Sequence, residues 1–506
     1  MPVTPSPSDR RSSVVPWLPV VATAGAILAA GPPGELSDAA WRTAAVFAAT
    51  IVGFITRPLP MGPMVLIGLA TLLLCGALGE GREAVENLLA GFGDATVWLV
   101  VAAFLLSGAV VRTGAGQRVA LALVARFGRS TLGLGYALAG AELTLGPVIP
   151  ATTARGGGVM APIVASLATA LGASPVGPRR QTGAYLVLVG AHVNLVASAM
   201  YLTGMAANPQ VSRLAAEHFG LTWDWLRWLQ GSWLPGLVSM ALLPWALSWI
   251  CRPDLTDGRA AQREAAAELA ALGPWTRAQY LLWGVLATMV VAWATEPLHG
   301  LHSTGVALVG LATLLLLGVD RWEHMIGDRG AWDALIWLGG LVTMAERLAT
   351  LGVVGWFADS IEQRMTGFSG VTAAVLLALV YFFSMYGFSM LTGHIAALAG
   401  VFFVVAKAAG APPLLIVALI SYFSNLCGCL THYSTGPTVI YFGLGMSRCG
   451  GGWPRGWRLP RCTWPCGRTR TWPPASTPQT VTRTARAGRC QKACAAGYPR
   501  HSPRPG

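Results

Sequence analysis

Asp94-Ala95-Thr96-Val97-Trp98-Leu99 returns 239 residues later as Asp333-Ala334-Leu335-Ile336-Trp337-Leu338. At the same offset Thr153, inside a Pro- and Gly-rich interruption of an apolar run, falls on Thr392, which stands with Gly387, Gly393 and His394 between apolar runs of its own. Further on, Asn194-Leu195 followed by Thr203-Gly204 is echoed by Asn425-Leu426 followed by Thr435-Gly436, at an offset near 231 that a short deletion would produce. One six-residue match is weak, but agreement at three successive places defines an internal repeat, 94–230 and 333–446. Around it lie N-terminal scaffold helices (1–93), linker helices with a polar loop (231–332) and a tail (447–506).

The setting of the repeat is a membrane. Of 506 residues 54% are hydrophobic and 11% charged, and the mean hydropathy is +0.55, against about a quarter charged in soluble domains. That excludes an ordinary soluble enzyme, a disordered chain and a secreted disulfide scaffold. Apolar segments near 14–30, 40–56, 62–78, 95–111, 182–200, 231–250, 279–295 and 301–319 approach the ~20 residues that cross ~30 Å of hydrocarbon. Trp223, Trp225 and Trp228 read as interfacial anchors. Arg10 and Arg11 precede the first apolar stretch, which lacks a small-residue cleavage context and reads as a membrane helix.

The net charge of +13 misleads, because Ser447–Gly506 holds 12 Arg and Lys and no acid, leaving 23 basic and 22 acidic residues in the first 446. Five of the nine cysteines also lie in that tail, and no disulfide framework follows. Two readings of the tail stay open: a basic extension touching anionic lipid or nucleic acid, or translation in a shifted frame.

The run Leu132–Ala173 is broken by Gly146-Pro147, Pro150 and Gly156-Gly157-Gly158, and is basic at both flanks. Both ends therefore belong on the cytoplasmic side. A re-entrant hairpin near 130–175 fits, with its tip in protein or water; two full crossings with a short outer turn are the alternative. Its repeat mate is a hairpin near 369–410. Five full crossings then separate Asp94 from Asp333, an odd number, so the second copy is inverted. The expected fold is an all-α polytopic membrane protein of about 10–11 membrane helices, with inverted repeats and two re-entrant hairpins. Paired broken segments of this kind mark secondary transporters, whose site lies near the midplane.

At those breaks cluster Thr152, Thr153, Asn194, Ser198, Thr203, Thr392, Asn425, Thr431, Ser434 and Thr435. Neutral donors and helix N-termini suit a carboxylate. Taken singly, each of these residues can simply bond back to its own helix. His394 and His432 can donate to an anion or carry a proton, or only pack. Arg155 can meet a substrate carboxylate or lock the hairpin, while Glu142 and the adjacent Glu346-Arg347 are ionisable groups at membrane depth, the latter read as an interfacial or structural pair. HExxH, GxSxG and GxxxxGK[ST] patterns are absent. Cys427-Gly428-Cys429 is too tight for a zinc site.

The stretches PVIPATTARGGGVMAPI (147–163), NLVASAMYLTGMAANP (194–209), TGH (392–394) and SNLCGCLTHYSTGPTVIYFGLG (424–445) resemble the divalent anion/sodium symporter superfamily, most of all its citrate/succinate and plastid 2-oxoglutarate/malate translocator branch. The resemblance covers nearly all of 1–445. It implies eleven membrane helices, two re-entrant hairpins, a homodimer and an elevator-like movement; with the enzymatic patterns missing, no enzymatic activity is expected. It places substrate carboxylates at Thr152 and Thr153, at Thr392 with Gly393 and His394, and at Thr203-Gly204 and Ser434-Thr435-Gly436-Pro437. The family's Ser-Asn-Thr tips here read Ala151-Thr152-Thr153 and Met390-Leu391-Thr392. Sodium prefers oxygen ligands, and those left are Thr152, Asn194, Thr392 and Asn425, which argues against sodium coupling and for exchange. Relatives usually continue past Tyr441-Phe442-Gly443 into another helix, where this chain enters its tail.

The resulting expectation is a transporter of di- or tricarboxylates (succinate, malate, 2-oxoglutarate or citrate class) in the cytoplasmic (inner) membrane. It exchanges anions by an elevator mechanism, with small carboxylates, the bilayer and a second copy as partners and no nucleic acid. No cofactor is expected apart from the sodium just weighed. A sodium-coupled symporter, and a non-transporting or truncated receptor-like protein, are the alternatives.

Overall fold

A computed structural model describes residues 14–449 apart from 35, 176, 178, 363–369 and 389, together with 463–464. Arg10 and Arg11, the first residue of the second expected hairpin, and 450–462 and 465–506 of the tail lie outside the described residues. Apart from a two-residue parallel pairing, Arg448–Cys449 with Thr463–Trp464, and a lone bridge from Ser130 to Asp257, the regular structure among the described residues is helical.

Seven helices among these residues are long and apolar enough to cross a membrane, and an eighth span arises if Arg329–Thr350 and Val353–Ser360, bent by 68°, count as one. Trp17–Ala30, Met61–Leu74 and Ser303–Leu316 are shorter apolar helices. The chain is an all-α, multi-pass integral membrane protein. The expected 10–11 helices included such shorter pieces, which hydropathy alone does not separate from full spans.

The first hairpin runs from Thr131–Leu145 through a tip to a π-helical turn, Thr153–Met160, and then Ala161–Ala170. Val148, Ile149, Pro150 and Ala151 at its tip are buried in protein, where an outer turn would face water. Both of its ends fasten to one connection: Thr131 Oγ1 donates to Leu255 O at 2.6 Å, and Ser166 hydrogen-bonds Glu268. Its repeat mate, Gly370–Ser384 with Leu391–Ala408, buries Met385, Phe388 and Leu391 at the tip but exposes Tyr386 and Met390.

Each hairpin is followed by a helix that breaks. Arg180–Met200 unwinds over 201–207 before Asn208–Phe219, and Pro413–Leu426 unwinds over 427–435 before Gly436–Gly443. Two large apolar cores and a small third one, Ala40 with Leu348 and Val353, result among the described residues. One large core joins the hairpins, the broken helices and Trp225–Cys251. The other joins Trp17–Ala30, Asp38–Thr56, Met61–Leu74 and Arg329–Thr350.

Two expectations are corrected, and the repeat mates Asp94 and Asp333 are found to differ. Trp223, Trp225 and Trp228 are buried rather than interfacial, because their helix abuts the first break: Trp225 Nε1 donates to Thr203 Oγ1 at 3.1 Å and Trp228 Nε1 to Ala199 O at 2.9 Å. Glu346 and Arg347 are not a pair, since adjacent side chains leave a helix about 100° apart; Glu346 faces Arg213 and Arg347 donates to Ala77 O. Asp94 and Asp333 differ too. Asp94 caps its helix by accepting from Thr96 and Val97 amides, whereas Asp328 caps the second copy and leaves Asp333 inside the helix.

Candidate functional site

Arg155 decides how the first hairpin is held. Its side chain and that of Glu142 are both fully buried, and a charge so placed needs a partner and hydrogen bonds. Arg155 Nε donates to Glu142 Oε2 at 2.7 Å, Nη1 to the carbonyls of Ile149 and Gly204 (2.9 Å), and Nη2 to Ser198 Oγ at 2.6 Å. Asn194 Nδ2 donates to both Glu142 oxygens at 3.0 Å. Of the two roles open to Arg155, the geometry assigns the lock: the cation ties the hairpin to the first unwound segment. Asn194, Ser198 and Gly204 belong to that lock. Thr203 is also engaged, donating to Pro147 O at 2.8 Å while accepting from Trp225.

The second hairpin carries a lock at the same two places. Glu142 and Arg155 map, at the offset of 239, onto Tyr381 and His394. His394 Nε2 lies 2.8 Å from Ser384 Oγ and 3.1 Å from Tyr381 O, its ring packs on Tyr381 with centroids 4.4 Å apart, and Tyr381 OH reaches Ser424 Oγ at 2.8 Å. His394 is thus a buried hairpin residue rather than a group facing open space. Asn425 Nδ2 donates to Asn208 Oδ1 at 2.8 Å, and Asn208 Nδ2 donates to Ser198 O and Tyr201 O. Asn208 therefore joins the two broken helices. Tyr381 was discoverable from the offset of Glu142; no signal in the sequence marked Asn208.

The first tip meets the second break. A Cβ on Gly436 would overlap Thr153, and one on Gly156 would stand 2.8 Å from Asn194 Nδ2 and 2.9 Å from Pro437 Cβ; glycine is required for this approach. Thr435 caps Gly436–Gly443 in a reciprocal box with Thr438, and Thr431 and Ser434 bond to each other. His432 lies against Phe442, ring centroids 4.3 Å apart. Thr153 and Gly436 are exposed, and Thr152 and Thr392 half-buried. Thr392 and Gly393 instead face the other core, at Met61 and Phe54. The groups open to a small molecule are therefore hydroxyls and backbone amides, with no net charge of their own. Such a surface can hold an anion by hydrogen bonds and release it.

The model of the sodium:sulfate symporter transmembrane region matches residues 11–459. The chain belongs to this family. Among its relatives are a protein of Bacillus subtilis named a putative malate transporter, 39% identical over 89% of this chain and 94% of its own length, and the chloroplastic dicarboxylate transporter 1 of spinach, 35% identical over 86% and 76%. The Escherichia coli inner membrane protein YbhI is 33% identical over 82% and 87%. Like the other members of the sodium:sulfate symporter family, this chain is a transporter and not an enzyme.

Proposed function

We propose that the protein exchanges dicarboxylates, of the malate, succinate and 2-oxoglutarate class with citrate as the larger candidate, across the cytoplasmic membrane as a homodimer. The observation that carries this reading is the convergence of the first tip on the second break, Thr153 against Gly436 and Gly156 against Pro437. It puts hydroxyls and a helix N-terminus where repeat-related breaks meet. Thr152, Thr153, Thr392 and the Gly436 backbone are the groups we assign to the substrate carboxylates. The names of the relatives support the substrate class. Closure of a tip over the anion, then movement of the core that carries both hairpins past the other core, would give alternating access.

Sodium is not required in this reading. It rests on the tip sequences, which lack the family's Ser and Asn; the amide oxygens of Asn194 and Asn425, buried without a hydrogen-bond partner, are the ones a hard cation would take, and the sodium arm of the test decides between exchange and symport. The test is uptake of labelled succinate, citrate and 2-oxoglutarate into proteoliposomes, empty or preloaded with malate, with and without sodium. Uptake that needs internal malate and ignores sodium is expected. Sodium-driven uptake into empty vesicles would overturn exchange in favour of symport.

A further inference from the structure

We infer that Arg213 and Glu346 form a latch across the seam between the two cores, made in one position of the moving core and released in the other. The inference rests on the transport reading above and names the residues that set its conformational balance.

Arg213 stands on Asn208–Phe219, the continuation of the first broken helix, between Val211, Leu214 and Ala215 of the hairpin core. Glu346 stands on Arg329–Thr350 beside Leu341, Val342 and Met344 of the other core. Arg213 Nη1 lies 3.6 Å from Glu346 Oε1 and also 3.6 Å from Glu217 Oε2, one turn along its own helix. The arginine side chain is 16% exposed and that of Glu346 46%. Arg213 thus has a permanent partner that travels with it and a second partner that does not. When the cores part, Glu217 keeps the guanidinium paired and Glu346 turns to water. Release therefore leaves no buried charge alone, the condition under which breaking an ion pair is expensive.

The seam itself is built to slide. Ala345 from one side and Ala396, Ala397 and Gly400 from the other form part of the lining of a crevice of about 60 Å³ that Phe47, Leu214, Leu341 and Val342 also line. Small side chains there interlock less than large ones would. Gln210, 7% exposed, lines the same crevice, and its Oε1 lacks a hydrogen-bond partner in this arrangement. The ion pair thus holds this position, while Gln210 Oε1 stays free to take a different partner in another.

The test uses the full-length protein as wild type, Glu346→Gln and Glu217→Gln. Exchange of malate for malate in proteoliposomes is the first readout. Glu346→Gln is expected to change the maximal velocity about 3-fold, the size of a partly exposed pair, with little change in KM, and Glu217→Gln to change it less. The second readout needs no flux: the yield of cross-link between Ala345→Cys and Ala397→Cys with a short dithiol reagent, resolved by peptide mass spectrometry so that native cysteines do not interfere. We expect Glu346→Gln to alter the yield and the cross-linked protein not to exchange. Equal cross-linking yield in wild type and Glu346→Gln, or undiminished exchange after cross-linking, would overturn the latch. Should wild type exchange no dicarboxylate, the proposed function fails while the cross-link yield still decides the latch.

Discussion

Replacing Glu142 by Gln and Tyr381 by Phe tests whether the repeat-related locks differ in kind. Glu142→Gln keeps the shape but removes the charge facing Arg155, and breaking a buried pair from one side costs about 3–5 kcal/mol. Arg155 would keep the carbonyls of Ile149 and Gly204 and the Ser198 hydroxyl as acceptors, which argues for the lower end. Against that, the new amide cannot offer an oxygen to both Arg155 Nε and Asn194 Nδ2 without turning its own N–H toward one of them. About 3 kcal/mol is the expected loss. Tyr381→Phe removes only the contact with Ser424 Oγ, which still donates to Ile420 O at 2.6 Å. His394 keeps its partner because it bonds the Tyr381 backbone carbonyl. A neutral hydrogen bond removed without leaving an orphan costs about 1 kcal/mol. Thermal midpoints of the purified variants in detergent, with Glu142→Gln/Arg155→Gln as the double variant, supply the comparison. Glu142→Gln should fall well below Tyr381→Phe, and the double variant should recover part of the loss. Equal midpoints for the two single variants would refute the distinction between a charged and a neutral lock.

Gly436→Ala should cost about 1–3 kcal/mol through overpacking and slow exchange in malate-loaded vesicles, because its new methyl overlaps Thr153; adding Thr153→Ala should restore part of the thermal midpoint but not the rate, since Thr153 is also assigned to the substrate. Thr203→Val should lower the thermal midpoint but leave the malate KM unchanged, since Thr203 already serves Pro147 and Trp225. Asp320, outside the membrane spans, is buried, which opposes its ionisation, yet the hydrogen bonds from Arg112 and His324 prevail and hold its carboxyl below the ordinary carboxylate range. A depressed pKa adds stability above the unfolded value of about 4 and loses it as pH falls through the lower folded value. Asp320→Asn should therefore lower the midpoint at pH 7 and flatten its decline in acid, as thermal scans from pH 7 to pH 3 would show.

The membrane class, the repeat and the broken segments were legible because hydropathy and Gly/Pro punctuation are local signals. Thr153 and Thr392 were legible as repeat mates for the same reason. Which polar residue faces space and which is consumed by packing was not, because that depends on neighbours far along the chain. Thr203 and Thr153 look alike in sequence, yet one is saturated by Pro147 and Trp225 while the other is exposed against Gly436. Trp225 and Trp228 failed as interfacial anchors for the same reason: a tryptophan near a span end meets lipid headgroups unless another segment covers it, and here the first broken helix does, at Thr203 and Ala199.

Repeat symmetry preserves position, and the locks show that it need not preserve chemistry. Glu142–Arg155 joins opposite charges, whereas Tyr381–His394 joins a phenol-bearing strut to an imidazole through a backbone carbonyl and a serine hydroxyl. The first lock reaches across to the broken helix at Asn194, Ser198 and Gly204 with three donor contacts from one guanidinium; the second hairpin reaches its broken helix through neutral hydroxyl contacts, Tyr381 with Ser424 and Tyr433 OH donating to Tyr386 O. A gate must open at a free-energy cost small enough to be met by binding one anion. The neutral, locally bonded second hairpin meets that condition better than the charged first, and its Thr392 and Gly393 already face the opposing core at Met61 and Phe54. On this reasoning the second hairpin is expected to open at a lower free-energy cost than the first.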